Sequence, residues 1–167
     1  MFDVRIPLYK VMINDQKYMI TVDYNQSLEK TLAIYLPTSI DKNITDLNFP
    51  WKGDKNKVPR EVCLLSIVCT NDWRSTSVDS NRAFEKMGER NLRPVDLREL
   101  IALDQQHADL DRSKPIVALG STWRQPAGER IVFVPYLCTP DFSHRGFALT
   151  KYVGGFTDHW QFAAVSK

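Results

Sequence analysis

Cys138, His144 and His159 are the one set in this chain that brings thiol and imidazole types into the same region. A soft thiolate and two imidazoles could hold zinc, with Asp141 or Asp158 as a fourth ligand. The spacing is irregular, and closed structural zinc sites have more regular ones, so the residues read better as a buried thiol and two loop histidines. The same residues, with Asp158, could form a cysteine–histidine nucleophilic site, and Cys69 with His107 is a further pair of that kind. Such a cysteine needs a depressed pKa and partial exposure. Cys63 and Cys69 instead sit in the apolar run Val62–Cys69, which suits inert thiols. His107 is surrounded in sequence by Asp104, Asp109 and Asp111, an acid–base grouping in type. A solvated helix end explains it as well, because a histidine there suits the helix dipole. No phosphate-cradling glycine loop, zinc-protease motif or nucleophile elbow is present. No catalytic residue and no cofactor is therefore assigned.

Two Trp–Arg pairs, Trp73-Arg74 and Trp123-Arg124, each follow an expected buried strand. Tryptophan and arginine dominate binding hot spots, so these four residues are the candidate binding face. Sealing the core edge is the competing role for the tryptophans. A basic set (Lys52, Lys55, Lys57, Arg60, Arg74, Arg82, Arg90 and Arg93) could meet nucleic acid if it gathered on one face. The net charge of +2 is well short of a nucleic-acid footprint.

The elements that must position these residues follow from periodicity and capping. At 167 residues the chain is long enough for one domain with a real core. It has no apolar run of membrane-spanning length and no signal peptide, and its cysteines suit a reducing compartment, so a cytoplasmic protein is expected. Residues 2–13 and 18–24 alternate around Asn14-Asp15-Gln16, which predicts an N-terminal β-hairpin. Its edge, with Phe2, Val4, Ile6, Leu8, Tyr9 and Val11, could pair with a second copy by strand addition. Ser27 caps a short helix over residues 28–36. Residues 37–59 are rich in proline and polar residues, and a loop this long is often functional or flexible. Residues 1–59 are read as an appendage or dimerisation arm, and residues 60–167 as the main domain.

From residue 60 the order is strand, helix, helix, then a run of strands, which points to α+β with a mainly antiparallel sheet. Ser77 or Asp79 caps the first helix, which runs to about Arg90. Asp96 with Glu99 makes a capping box for the second, with Val95 and Leu100 as its hydrophobic staple. Ile116 to Gly120 reads as a strand buried on both faces, with Leu119 and Trp123 on one side and Ile116 and Ala118 on the other. Strands are also expected at 131–138, 147–153 and 160–165.

This order, together with AFEKMGERNLRPVDLRELIAL, IVALGSTW and WQFAAVSK, resembles the C-type-lectin-like fold over residues 60–167. The same blocks resemble small bacterial or phage proteins with an RP-x-x-x-x-EL…PIVALGS-x-W…W-x-F-x-AV pattern and no assigned function. The lectin resemblance implies a stable scaffold with a variable binding face. The lectins' paired cysteines and their Glu-Pro-Asn or Gln-Pro-Asp triplet are absent, so no sugar or calcium residue is carried over. The expected function is a non-catalytic binding module for an unidentified protein partner, with no membrane and no nucleic acid. An enzyme with a site assembled from distant residues is the alternative, and a weak nucleic-acid binder the second.

Overall fold

The computed structural model describes residues 6–35, 37–71, 77–128, 130–141 and 144–167. They form an α+β fold with a mixed sheet. The strands are β1 (Tyr9–Asp23), β2 (Ser39–Ile40), β3 (Lys57–Cys69), β4 (Leu92–Pro94), β5 (Ile116–Val117), β6 (Trp123–Arg124), β7 (Val132–Asp141), β8 (His144–Lys151) and β9 (Gln161–Ser166). The helices are α1 (Leu28–Tyr35), α2 (Ser80–Gly88) and α3 (Leu97–Gln106). The sheet runs β1-β3-β9-β5-β7-β8-β2, with β4 added on β9 and β6 on β7. The β5–β9 and β2–β8 pairings are parallel, and the others are antiparallel.

The expected hairpin is a single strand. Both halves of β1 pair with β3, from Tyr9↔Cys69 to Asp23↔Lys57. Asn14-Asp15-Gln16 has turn chemistry, and the Asn14 side chain accepts from the Gln16 amide at 3.1 Å. It makes a bulge rather than a reversal, because β3 is long enough to pair with the residues on both sides. The expected boundary at residue 59 falls inside β3.

Period-two alternation sends the sheet's side chains into two cores. On one face Tyr18, Ile20, Val22, Val62, Leu64, Ala163 and Val165 pack with Leu97, Leu100, Ile101 and Leu103 of α3 and with Leu28 and Leu32 of α1. On the other, Cys63, Leu65, Ile67, Phe162 and Ala164 meet Ala83 and Met87 of α2, together with Phe156. Both faces of the central strands are therefore covered, which is why their sequences read as unbroken apolar runs. Asp79 caps α2, accepting from the Arg82 amide, and Asn91 takes φ 56° three residues after that helix ends. The Ile116–Gly120 segment is shorter as a strand than its composition predicts. Leu119 joins the α2-side core, whereas Trp123 packs against the α3-side core, so these two do not share a side. Gly120 explains the turn between them. Its amide donates to the Val95 carbonyl at 2.9 Å, and a Cβ there would lie 2.5 Å from that oxygen.

The free edge of β1 is covered in part by the end of α3. The Gln106 side chain donates to the Thr21 carbonyl at 2.8 Å and accepts from the Thr21 amide at 2.9 Å. His107 Nε2 donates to the Met19 carbonyl at 2.8 Å. No helix among the described residues is long and apolar enough to cross a membrane.

Candidate functional site

The start of α3 gathers the richest polar constellation. The capping box is present in full: Asp96 Oδ1 accepts from the Glu99 amide at 2.8 Å, and Glu99 Oε2 accepts from the Asp96 amide at 2.9 Å. Glu99 is 0% exposed. A buried carboxylate must be paired, and Arg93 grips it with two bonds of 2.9 and 2.7 Å while Arg60 Nε adds a third at 3.3 Å. β4 supplies Arg93 and β3 supplies Arg60, so this ion group ties the helix start to two strands.

Asp96 carries a second job. Its Oδ2 accepts from the Tyr24 hydroxyl at 2.8 Å. Burial, then the charge of Glu99, pushes the Asp96 carboxyl above the usual carboxylate range, while the Glu99 amide and the Tyr24 hydroxyl hold it back in part. The Tyr24 hydroxyl is in turn pushed up, by burial first and then by Asp96. The Tyr24 ring stacks on Trp51, with centroids 3.9 Å apart and planes 15° from parallel. Trp51 donates from Nε1 to the Asp54 carbonyl at 3.0 Å, which folds its loop back on itself. Gly53 makes that fold possible, since a Cβ there would sit 2.4 Å from the indole.

The Trp51 side chain separates two hollows that are open on one side. The first, about 350 Å³, lies between Leu28, Phe49, Lys52, Arg98 and Ser121. The second, about 390 Å³, lies between Tyr24, Arg60, Phe84 and Arg93. Trp51, Asp96 and Gly120 line both. Arg98 is held by the Gln26 carbonyl at 2.7 Å and Asp46 at 2.6 Å, and Ser121 accepts from the Leu97 amide at 2.8 Å. Those two groups are structural partners of the groove wall. Trp51 (38% exposed), Phe84, Lys52 and the heads of Arg60 and Arg93 remain available to a ligand. An exposed indole beside cationic forks can hold an apolar side chain and an anion next to it.

Of the residues singled out in the sequence, Lys52, Arg60 and Arg93 of the basic set line the two hollows, whereas Trp123, Arg124, Cys138 and His159 do not. Trp73 and Arg74 lie outside the described residues. Trp123 is half-buried, its ring 5.6 Å from that of Phe133, and Arg124 is exposed. They follow Ser121 and Thr122 on the rim of the first hollow but do not line it. Cys138 is half-buried, its thiol is pushed up by burial, and its Sγ donates to the Gly146 carbonyl at 3.5 Å. The side chains of Asp141 and His144 are not among the described ones, while Asp158 and His159 are exposed. Among the described residues no group of three or more His, Cys, Asp or Glu side chains is placed to hold a metal ion. Asp104 is buried against Arg112 Nε at 2.6 Å, and Asp109 accepts from Gln16 at 2.8 Å. Asp109 also lies 3.6 Å from His107 Nδ1, whereas Asp104 and Asp111 serve separate local contacts, Asp111 accepting from the Ser113 amide at 2.9 Å.

At the N-terminal edge, Phe2 and Val4 lie outside the described residues. Ile6 and Leu8 are exposed, and the Asn71 side chain donates to the Ile6 carbonyl and accepts from the Leu8 amide.

Sequence reasoning missed Trp51, Tyr24 and Gly53. One local signal was present: the segment Pro50-Trp51-Lys52-Gly53 places a tryptophan in the most polar loop of the chain. Compared with family models, curated proteins and solved structures, the chain matches none of them.

Proposed function

We propose that this chain is a non-catalytic binding module that holds a protein partner in the groove divided by Trp51. The observation that carries this reading is the Trp51–Tyr24 stack, anchored through Asp96 to the buried ion group, with Trp51 still more than one-third exposed. Aromatic residues and arginine supply most binding energy at interfaces when a rigid shell holds them in place. Here the shell is rigid because its polar members bond one another. Each hollow is at the low end of the ~300–1,000 Å³ typical of small-ligand sites, which suits one or two side chains of a partner better than an enclosed metabolite.

The scaffold belongs to this reading as a C-type-lectin-like arrangement of residues 60–167. The order β3, α2, α3 and then strands to β9, interrupted by the three-residue β4 between the two helices, supports it. Three cysteines without a disulfide support a reducing, cytoplasmic compartment.

The test is affinity capture from the source cells with wild type beside Trp51→Ala, together with a photocrosslinker placed at position 52. A stoichiometric partner that crosslinks at 52 and is lost in Trp51→Ala, with the variant's melting unchanged, is the expected result. A partner retained by Trp51→Ala that fails to crosslink would move the binding face away from this groove.

A further inference from the structure

The second hollow is lined by two guanidiniums, Arg60 and Arg93, and one carboxylate, Asp96. One buried carboxylate, Glu99, serves two guanidiniums, Arg60 and Arg93. The acid on the lining, Asp96, is engaged by the Tyr24 hydroxyl and the helix cap. A guanidinium carries five N–H donors in a fixed fork. Arg93 uses three contacts, two on Glu99 and one on the Pro94 carbonyl. Arg60 uses Nε on Glu99 and a long contact of Nη1 to the Pro59 carbonyl, so its Nη2 has no partner among the described residues. The Arg60 side chain is 37% exposed at the wall of the hollow, with Phe84 and Trp51 exposed beside it. Lys52 carries the positive rim into the first hollow.

From this we propose that the second hollow takes an acidic peptide segment, with one carboxylate on the Arg60 fork and an apolar neighbour against Trp51 and Phe84. The inference rests on the binding reading above and adds the chemistry of the occupant. An Arg fork matches a planar carboxylate in two parallel bonds, whereas a lysine acts only as a point charge. Glu99 fixes Arg60 through Nε, which leaves the outer edge of the fork oriented before binding. Nucleic acid fits less well. Its affinity draws on many phosphate contacts, while the solvent-facing cations on the groove lining are Lys52, Arg60 and Arg93, and Arg98 is held by Asp46 and Gln26.

The experiment is selection of a random short-peptide library on immobilised full-length protein, followed by titration of the selected peptides against variants. The expected sequences are enriched in Asp or Glu beside an aromatic or aliphatic residue. Arg60→Gln should weaken them by about tenfold or more, the worth of one charge-assisted pair, while Arg60→Lys keeps part of the affinity and loses the preference for a carboxylate over its amide. The Arg93–Glu99 pair stays intact in both variants, so each should fold. Peptides lost in Trp51→Ala but lacking acids, or indifferent to Arg60→Gln, would overturn the acidic occupant and leave the groove standing. Peptides indifferent to Trp51→Ala would overturn the groove itself, and a library yielding no binder would overturn both. Displacement of the peptides by a single-stranded oligonucleotide with steep salt dependence would assign the hollow to nucleic acid instead.

Discussion

Glu99 shows how a residue recognisable from its neighbours acquires a role they do not specify. Its place in the capping box is local, since Asp96 stands three residues away. Its burial between Arg93 and Arg60 comes from the pairing of β4 with β9 and of β9 with β3, which no short window contains. Removing the charge with Glu99→Gln leaves two guanidiniums facing a neutral amide. Breaking a buried pair costs several kcal/mol. Both arginine side chains stay more than one-third exposed, so the expected loss is about 3 kcal/mol, at the low end of that range. Urea denaturation would measure it, and Arg60→Gln in the same series should lose no more than about 1 kcal/mol. Asp96 makes a prediction about pH. Its folded carboxyl titrates above its ordinary value because of burial and Glu99, so the fold favours the protonated form. Its stabilising contribution is complete below the unfolded pKa and is lost as pH rises through the raised folded value. Asparagine still caps a helix through Oδ1, and its Nδ2, in the place of Oδ2, can donate to the Tyr24 hydroxyl oxygen. Wild type should therefore lose stability relative to Asp96→Asn as pH rises across that window. Parallel melting curves would show the gap, and a constant difference would contradict the assignment.

At the scale of elements, α3 and the loop 50–54 are opposite cases of legibility. The helix was readable because its cap, staple and apolar face all lie within ten residues, and the structure has each of them. The loop was not, because its order depends on Tyr24, from the segment after β1, and on the missing Cβ of Gly53. Its polar composition predicts exposure, and Trp51 is exposed, but composition says nothing of what the indole stacks on. β1 fails in a third way. A turn signal at Asn14-Gln16 is satisfied by a local side-chain bond, and whether the chain then reverses is decided by a strand more than forty residues later. The loop carries its own prediction. Gly53→Ala should displace Trp51 from Tyr24, since the clash is with a rigid ring. The expected signature is a changed near-UV spectrum and tryptophan emission with unchanged far-UV ellipticity, and weaker peptide binding alongside. An unchanged near-UV spectrum would mean that the loop absorbs the methyl elsewhere and that Gly53 does not set the stack.

For the whole molecule, the α3-side core is common property of the chain before and after residue 59. Tyr18, Ile20, Leu28 and Leu32 share it with Val62, Leu97, Ile101 and Val165. Arg98 of α3 also binds Asp46, which accepts from the Leu28 amide at 2.9 Å. A fragment of residues 57–167 should therefore lack a cooperative melting transition and bind a hydrophobic dye, the behaviour of a core without its outer wall. A fragment that melts sharply would show that residues 1–56 are dispensable to the fold. β9 bears on a different matter, the timing of folding. It is the last strand in chain order, yet it lies between β3 and β5 and also receives β4. Until residues 161–166 leave the ribosome, the β1–β3 ladder and the β5–β7–β8 ladder have no strand to join them. Synthesis delivers early segments first, and distant pairings form slowly. A nascent chain of this protein thus emerges as two unjoined half-sheets, with Val62 to Leu65 of β3 lacking their β9 partners until residues 161–166 arrive.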